Sequence, residues 1–390
     1  MNLKSNIWKI YGIQVLRWFM LIMPIFVLFL QENGLSIGQV LILQSFFSIF
    51  VVLMEIPSGY LADLWGRKNI IVLGCIAGFL GPVIYSMSYS FEAFLVAEFF
   101  LAIGWSFISG ADSALLYDSL LASGSTDNYK KLEGRKGFFA SGAEGLAGIV
   151  GGLLAIYSLR LPFVIQAVVL FFTIPLALSL IEPPRSKFKA EAGNFKELWR
   201  IIKFSLYEHV EIKWLIIYSS LISASGISVV WFIQPYFIEN GLPLEWFGIA
   251  WAILQITTAI FSFYAYRIEG FVGKRNAFIS LIFIIFLGYA LTAYFNALWA
   301  AVFFLLFYIV RGINQPVSAD YVNKLITSDI RATVLSIKNL MMRLIFAAMG
   351  PFMGWMVDIY SLQTAFILGG SVFLVLGLIS LIFLHKHRVI

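Results

Sequence analysis

The sequence predicts an all-α polytopic membrane protein with twelve transmembrane helices, and three observations lead there. Of its 390 residues 61% are hydrophobic and only 12% charged, too little polar surface to cover a soluble globule. The apolar residues gather in roughly twelve runs of about 20, the length that crosses the hydrocarbon core of a bilayer. Lys and Arg fall heavily on one set of connections, the asymmetry that marks the cytoplasmic side.

The runs occupy 7–31, 37–59, 69–88, 91–118, 135–157, 161–181, 213–238, 245–266, 277–295, 297–322, 333–357 and 363–384. Their connections are short and leave no room for a soluble domain. The first run exceeds a signal-peptide core and lacks a small-residue cleavage site, so it is expected to stay as a helix. The third holds Cys75, the sole cysteine, which excludes an intramolecular disulfide and a thiolate metal site. The fifth is rich in glycine, with Gly134, Gly137, Gly142, Gly145, Gly148, Gly151 and Gly152, a composition that permits close helix packing. Arg160 stands alone on the outer side, and Arg17, Arg311 and Arg343 lie inside spans. The other cations are assigned to the termini and even-numbered connections, which places both termini in the cytoplasm. This asymmetry accounts for the net charge of +6, so no nucleic-acid surface is read from it.

Between spans 2 and 3 the chain reads G-Y-L-A-D-L-W-G-R-K from Gly59 to Lys68, a polar knot between apolar runs. Gly59 lets a helix approach a neighbour closely. Gly66 can take the positive φ that a short turn needs. Arg67 and Lys68 mark the cytoplasm, and Asp63 offers a carboxylate suited to the N-terminus of a facing helix. The spacing G-x3-D-x2-G-R-K resembles the cytoplasmic loop between the second and third helices of major facilitator superfamily transporters. One departure is Leu64, where a basic residue often follows the Asp. The resemblance implies a transporter rather than a channel, a gate in which Asp63 closes against the start of span 11 near Asp329 to Ala332, and a charge network in which Asp118 joins Arg67. A solvated loop charge is the alternative for Asp118.

The chain also repeats itself. Glu32-Asn33-Gly34-Leu35 returns as Glu239-Asn240-Gly241-Leu242, and Gly66-Arg67-Lys68-Asn69 as Gly273-Lys274-Arg275-Asn276, both at an offset of 207. Ile156-Tyr157-Ser158-Leu159 returns as Ile359-Tyr360-Ser361-Leu362 at 203. Two six-span units of equal orientation follow, the parallel-repeat case: 1–181 and 213–390, with 182–212 as a cytoplasmic linker. Its Phe195, Leu198, Trp199, Ile202 and Leu206, interleaved with Lys196, Arg200 and Lys203, have the spacing of an amphipathic helix lying on the membrane. The second knot is altered, since Asp63 corresponds to Gly270 and the nearest carboxylate, Glu269, is displaced by one residue.

Ionisable residues inside spans are costly and mark cavities or partners. The first half has Arg17, Glu98, Asp112 and Glu144. The second has Arg311, followed by Asn314 and Gln315, then Arg343; Gln234 and Gln255 add polar groups on spans 7 and 8. The resemblance implies that spans 1, 4, 7 and 10 line a central cavity, and Arg17, Glu98, Asp112, Arg311 and Gln315 lie on those spans; together with Glu144 on span 5 and Arg343 on span 11 they are the candidate substrate or coupling site. Ion pairing within each half, such as Arg17 with Glu144, is the structural alternative. Glu144 and Asp112 are the proton-carrier candidates, because a carboxyl in a dehydrated site can exchange protons. Arg311 and Arg343 could attract an anionic group or alternate partners with Glu144. The stretch from Arg311-Gly312 through Tyr321-Val322-Asn323 to Arg331-Ala332-Thr333 looks like the tenth and eleventh spans of a bacterial branch of the superfamily. Span 5 loosely resembles the antiporter motif of the superfamily without its proline, which supports export.

No H-E-x-x-H, C-x2-C or G-x4-G-K-[ST] occurs, so no cofactor, metal or ATPase is expected and the protein is not read as an enzyme. The expected function is an alternating-access secondary active transporter, driven by protons, that exports a small organic compound such as a drug or secreted metabolite. Uptake of an anionic nutrient or siderophore-like iron chelate is the alternative, and an uncoupled receptor or scramblase is a third class. The expected setting is a monomer in the bacterial inner membrane.

Overall fold

The computed structural model describes residues 3–125, 128–183, 200, 203–326, 330–387 and 389. Among them every regular element is a helix, and twelve are long and apolar enough to cross a membrane. They are α1 (Ser5–Glu32), α2 (Ile37–Trp65), α3 (Arg67–Met87), α4 (Phe91–Ala122), α5 (Tyr129–Ala155), α6 (Leu161–Leu178), α7 (Val210–Glu239), α8 (Leu244–Val272), α9 (Lys274–Phe295), α10 (Leu298–Leu325), α11 (Arg331–Ile359) and α12 (Leu362–Lys386).

These match the apolar runs closely, and the mismatches have one cause. Hydropathy sees only the lipid-facing part of a helix, whereas α2 and α8 run on past it, ending at Trp65 and Val272. The polar knot is therefore mostly helix. The turn is concentrated in Gly66 (φ +103°), and in the second copy in Gly273 (φ +82°), a backbone region that only glycine enters freely. Three spans are interrupted as well; in α6 the helix stops at Phe171 and resumes at Thr173. The regular helix of α1 stops at Trp18 and resumes at Phe26 after a 3-10 turn over Met23–Ile25 that contains Pro24. In α4 the helix stops at Ile108 and restarts at Ala111, with Gly110 at φ +82°.

The chain divides into two compact units. The first comprises Met1–Leu35, Phe46–Ala190 and Pro243–Ala252, the second Ser36–Ser45, Glu191–Leu242 and Ile253–Ile390. Each thus contains a short stretch from the opposite sequence half. In the first unit the outer ends of α5 and α8 touch through glycine: a Cβ on Gly248 would lie 2.4 Å from the Gly148 carbonyl oxygen, and one on Gly152 would lie 2.7 Å from Gly248 N. Gly151 packs as tightly on the Leu21 backbone. In the second unit α2 and α11 meet in the same manner, a Cβ on Gly354 falling 2.8 Å from Gly38 Cα. Small residues allow such backbone approach in membranes, where apolar burial no longer drives helices together.

The glycine expectation holds for only part of α5. Added Cβ atoms at Gly134, Gly137, Gly142 and Gly145 would meet nothing within 4 Å, and Gly59 is equally open. The tight contact expected at Gly59 is thus not found; the side chain is absent on an exposed face of α2. Charge placement also needs correction. Lys136 and Lys338 lie within α5 and α11 and are buried at 6% and 7% exposure, not in the cytoplasmic connections. Residues 195–199, 201 and 202 of the expected amphipathic linker helix lie outside the described residues, and Phe204–Glu208 forms a short π-helical turn.

Candidate functional site

In the first unit the polar groups inside the spans gather around the break in α4. Asp112 sits in the first turn of the restarted helix, where a carboxylate complements the positive helix end, and it accepts from Ser113 N at 2.7 Å. Its other oxygen takes the Lys136 ammonium at 2.9 Å. That ammonium also reaches Glu133 at 2.8 Å and Ser113 Oγ at 2.7 Å, and Ser113 Oγ donates to Glu133 at 2.9 Å. Arg17, in the last turn before the break in α1, lies within electrostatic reach of Asp112 and stacks 5.5 Å over the Trp105 ring. Arg17 makes no ion pair with Glu144 among the described residues, so the pairing weighed from sequence is not the one adopted. Glu144 itself is buried on α5.

Glu98 is placed elsewhere. It lies in the outer part of α4 at 2% exposure and accepts from Tyr85 Oη at 2.6 Å, inside a cluster of Phe26, Phe29, Phe94 and Phe163. Beside it Arg160 donates to the carbonyls of Tyr85, Ser86 and Ser88 and to Asn33 Oδ1, with its guanidinium 4.0 Å above the Tyr89 ring. Arg160 is thus a clamp between helix ends.

At the knot between α2 and α3 Arg67 pairs with Asp118 and donates to the Ala114 carbonyl, the network that the resemblance implied. The N-terminus of α3 is capped by Glu182, which takes Arg67 N at 3.1 Å and Lys68 N at 2.7 Å. A capping carboxylate satisfies donors that a helix leaves orphaned. Asp63 is exposed. Its expected partner region, Asp329 to Ala332, begins with a residue that lies outside the described residues.

In the second unit Arg311 and Gln315 lie one turn apart on the exposed face of α10, while Asn314 is buried, donating to Ser219 O at 3.2 Å and Ser223 Oγ at 2.9 Å. A guanidinium exposed at mid-span requires water or a ligand, not lipid. Arg343 is partly buried on α11, Gln234 is buried on α7 and Gln255 partly buried on α8. At the cytoplasmic end Glu269 accepts from Tyr321 Oη, and Lys274 stands 4.4 Å over the Tyr321 ring. At the opposite end of the spans Asp358 accepts from Ser36 Oγ at 2.7 Å and Gly38 N at 3.0 Å.

Sequence reasoning missed Glu133, Lys136, Glu182, Lys338 and Asp358. For the two lysines a signal was present: each lies within an apolar run. Glu182 and Asp358 sit at span ends, where a carboxylate is too common to stand out. Among the described residues no group of three His, Cys, Asp or Glu could hold a metal.

Comparisons agree on the architecture. The solved nucleoside transporter NupG is 19% identical, with 98% of this chain and 99% of that chain covered at a TM-score of 0.80, and a point mutant of it reaches 0.82 at 18% identity. A bacterial homologue of the human lysosomal transporter Spinster, in an inward-facing unoccupied conformation, is 17% identical over 98% and 96% of the two chains, with a TM-score of 0.72. The D-xylose-proton symporter is 14% identical over 97% and 96%, with a TM-score of 0.71. No curated protein matches the sequence. The family model for the Major Facilitator Superfamily matches residues 10–351. With that match over most of its length and its twelve apolar helices, the chain belongs to the Major Facilitator Superfamily of transporters.

Proposed function

We propose that this transporter is a secondary active exporter of a small organic compound, driven by protons through the Asp112 cluster. The carrying observation is that Asp112, Glu133, Lys136 and Ser113 share one hydrogen-bonded network beside Arg17. Two cations there face two carboxylates, so the deprotonated cluster is close to neutral. A proton on Asp112 removes its pairing with Lys136 and leaves an excess positive charge in a desolvated place. That state is tolerable only when water or a counter-anion gains access, which ties protonation to opening. Glu144, one helix face away from Lys136 on α5, is the second candidate carrier. The glycine contacts at Gly148, Gly151 and Gly152 support the antiporter likeness of span 5, and with it export.

Orientation follows the cation count, with both termini cytoplasmic in a bacterial inner membrane and a monomer as the working unit. The test is purified protein in liposomes under an imposed pH gradient. Wild type should move protons in exchange for substrate, in the opposite direction, and Asp112→Asn should lose the pH dependence. Full gradient dependence in that variant refutes the assignment. Uptake of an anionic compound is a second reading, favoured by Arg311, Lys338 and Arg343 in the second unit.

A further inference from the structure

We infer that Lys338 receives an oxyanion, carboxylate or phosphate, of the transported compound. This deepens the reading of the chain as a substrate-binding transporter and names the substrate's charge.

Lys338 lies on α11 where that helix packs on α7, its backbone carbonyl accepting from Ser220 Oγ at 2.9 Å. The adjoining turn of α7 holds α10 through Asn314, and Ser318 Oγ donates to Asn314 Oδ1 at 2.8 Å. The polar groups of this three-helix junction are therefore satisfied by one another, and none is a carboxylate. Lys338 is 7% exposed, yet among the described residues its ammonium makes no ion pair and no hydrogen bond. Lys136 is buried to the same degree and has three oxygen partners.

A desolvated ammonium without a counter-charge is strongly unfavourable, and a methionine would pack the same stem without that cost. The rest of the unit does not offer the missing charge at this depth. Its described carboxylates stand toward helix ends: Glu211 and Glu239 on α7, Glu269 bonded to Tyr321, Asp320 paired with Lys324, and Asp358 on Ser36 and Gly38. Arg311 on α10 and Arg343 farther along α11 add positive charge between those ends. Within the second unit no described carboxylate stands at the depth of Lys338, and the oxyanion of the transported compound takes that place.

The test measures equilibrium binding by thermal shift on purified full-length protein without a pH gradient. Three probe pairs isolate the charge: uridine 5′-monophosphate against uridine, glucose 6-phosphate against glucose, and benzoate against benzamide. At least one oxyanion should stabilise wild type more than its neutral twin. Lys338→Arg should keep that preference, and Lys338→Met should lose it by about tenfold or more in apparent affinity. Unliganded Lys338→Met should melt no lower than wild type, because it removes an unpaired charge. No oxyanion preference in wild type, a preference retained in Lys338→Met, or a marked loss of unliganded stability in that variant overturns the proposal. Because binding is read at equilibrium without a pH gradient, its outcome does not depend on proton coupling, which separates this result from a failure of the Asp112 assignment.

Discussion

Asp358 joins two stretches more than 300 positions apart in sequence, and removing it should loosen the outer ends of α2 and α11. Residues Ser36 to Gln39 form a capping box: Gln39 N donates to Ser36 Oγ at 3.2 Å and Ser36 N to Gln39 Oε1 at 3.0 Å. Asp358 adds a second acceptor, taking Gly38 N at 3.0 Å and Ser36 Oγ at 2.7 Å. A hydrogen bond to a charged group contributes about 1.5–3 kcal/mol when shielded. Asp358 is exposed, so about 0.7 kcal/mol for each of the two bonds is the appropriate discount. The sum, about 1.4 kcal/mol, corresponds to roughly a tenfold change in equilibrium. The probe is Ser45→Cys in a Cys75→Ser background, since Ser45 is 4% exposed and its Oγ lies 3.2 Å from a Cβ built on Gly350. Asp358→Ala should raise its labelling by an impermeant maleimide about tenfold. Gly38→Ala should act through the same contact, because its Cβ would fall 2.3 Å from Asp358 Oδ2, so the double variant should add little to either single one. An unchanged labelling rate in Asp358→Ala, or fully additive effects, refutes the reasoning.

Three further outcomes follow from other contacts. Arg160→Ala leaves three carbonyls and Asn33 without their donor and should lower stability by about 3 kcal/mol, read as a fall in melting temperature; a fall no larger than that of an exposed lysine variant counts against the clamp. Gly248→Ala drives a Cβ into the Gly148 backbone and should destabilise the α5–α8 contact by roughly 1–3 kcal/mol, while Gly145→Ala, in open space on α5, serves as the silent control. Glu182→Ala removes the acceptor of Arg67 N and Lys68 N and should cost about 1 kcal/mol, measurable as faster amide exchange in the first turn of α3.

The twelve helices were legible because lipid forces their pattern: each must be long, apolar and internally bonded. The cytoplasmic turns were legible because Gly66 and Gly273 occupy a backbone region closed to other residues. Partner choice was not. Asp112 lies within electrostatic reach of Arg17, yet its carboxylate pairs with Lys136. The burial of Lys136 and Lys338 was hidden by the positive-inside count, which treats a lysine near a span end as solvated. Glu98 had the depth of a cavity residue but was drawn into an aromatic cluster by Tyr85.

The second copy of the knot shows why a lost carboxylate is not a lost function. Arg67 and Lys274 are equivalent positions of the repeat, one pairing with Asp118 and the other standing over the ring of Tyr321. Exposed or half-desolvated, a cation needs negative potential rather than a carboxylate as such, and an aromatic face supplies it. Glu269, one residue out of register, strengthens that face by accepting the Tyr321 hydroxyl. The two copies therefore solve the same electrostatic problem at different strengths. Guanidinium with carboxylate is directional and strong, whereas ammonium on a ring tolerates sliding. The inequality lies in the partners themselves, the Asp118 carboxylate for Arg67 and the Tyr321 ring backed by Glu269 for Lys274.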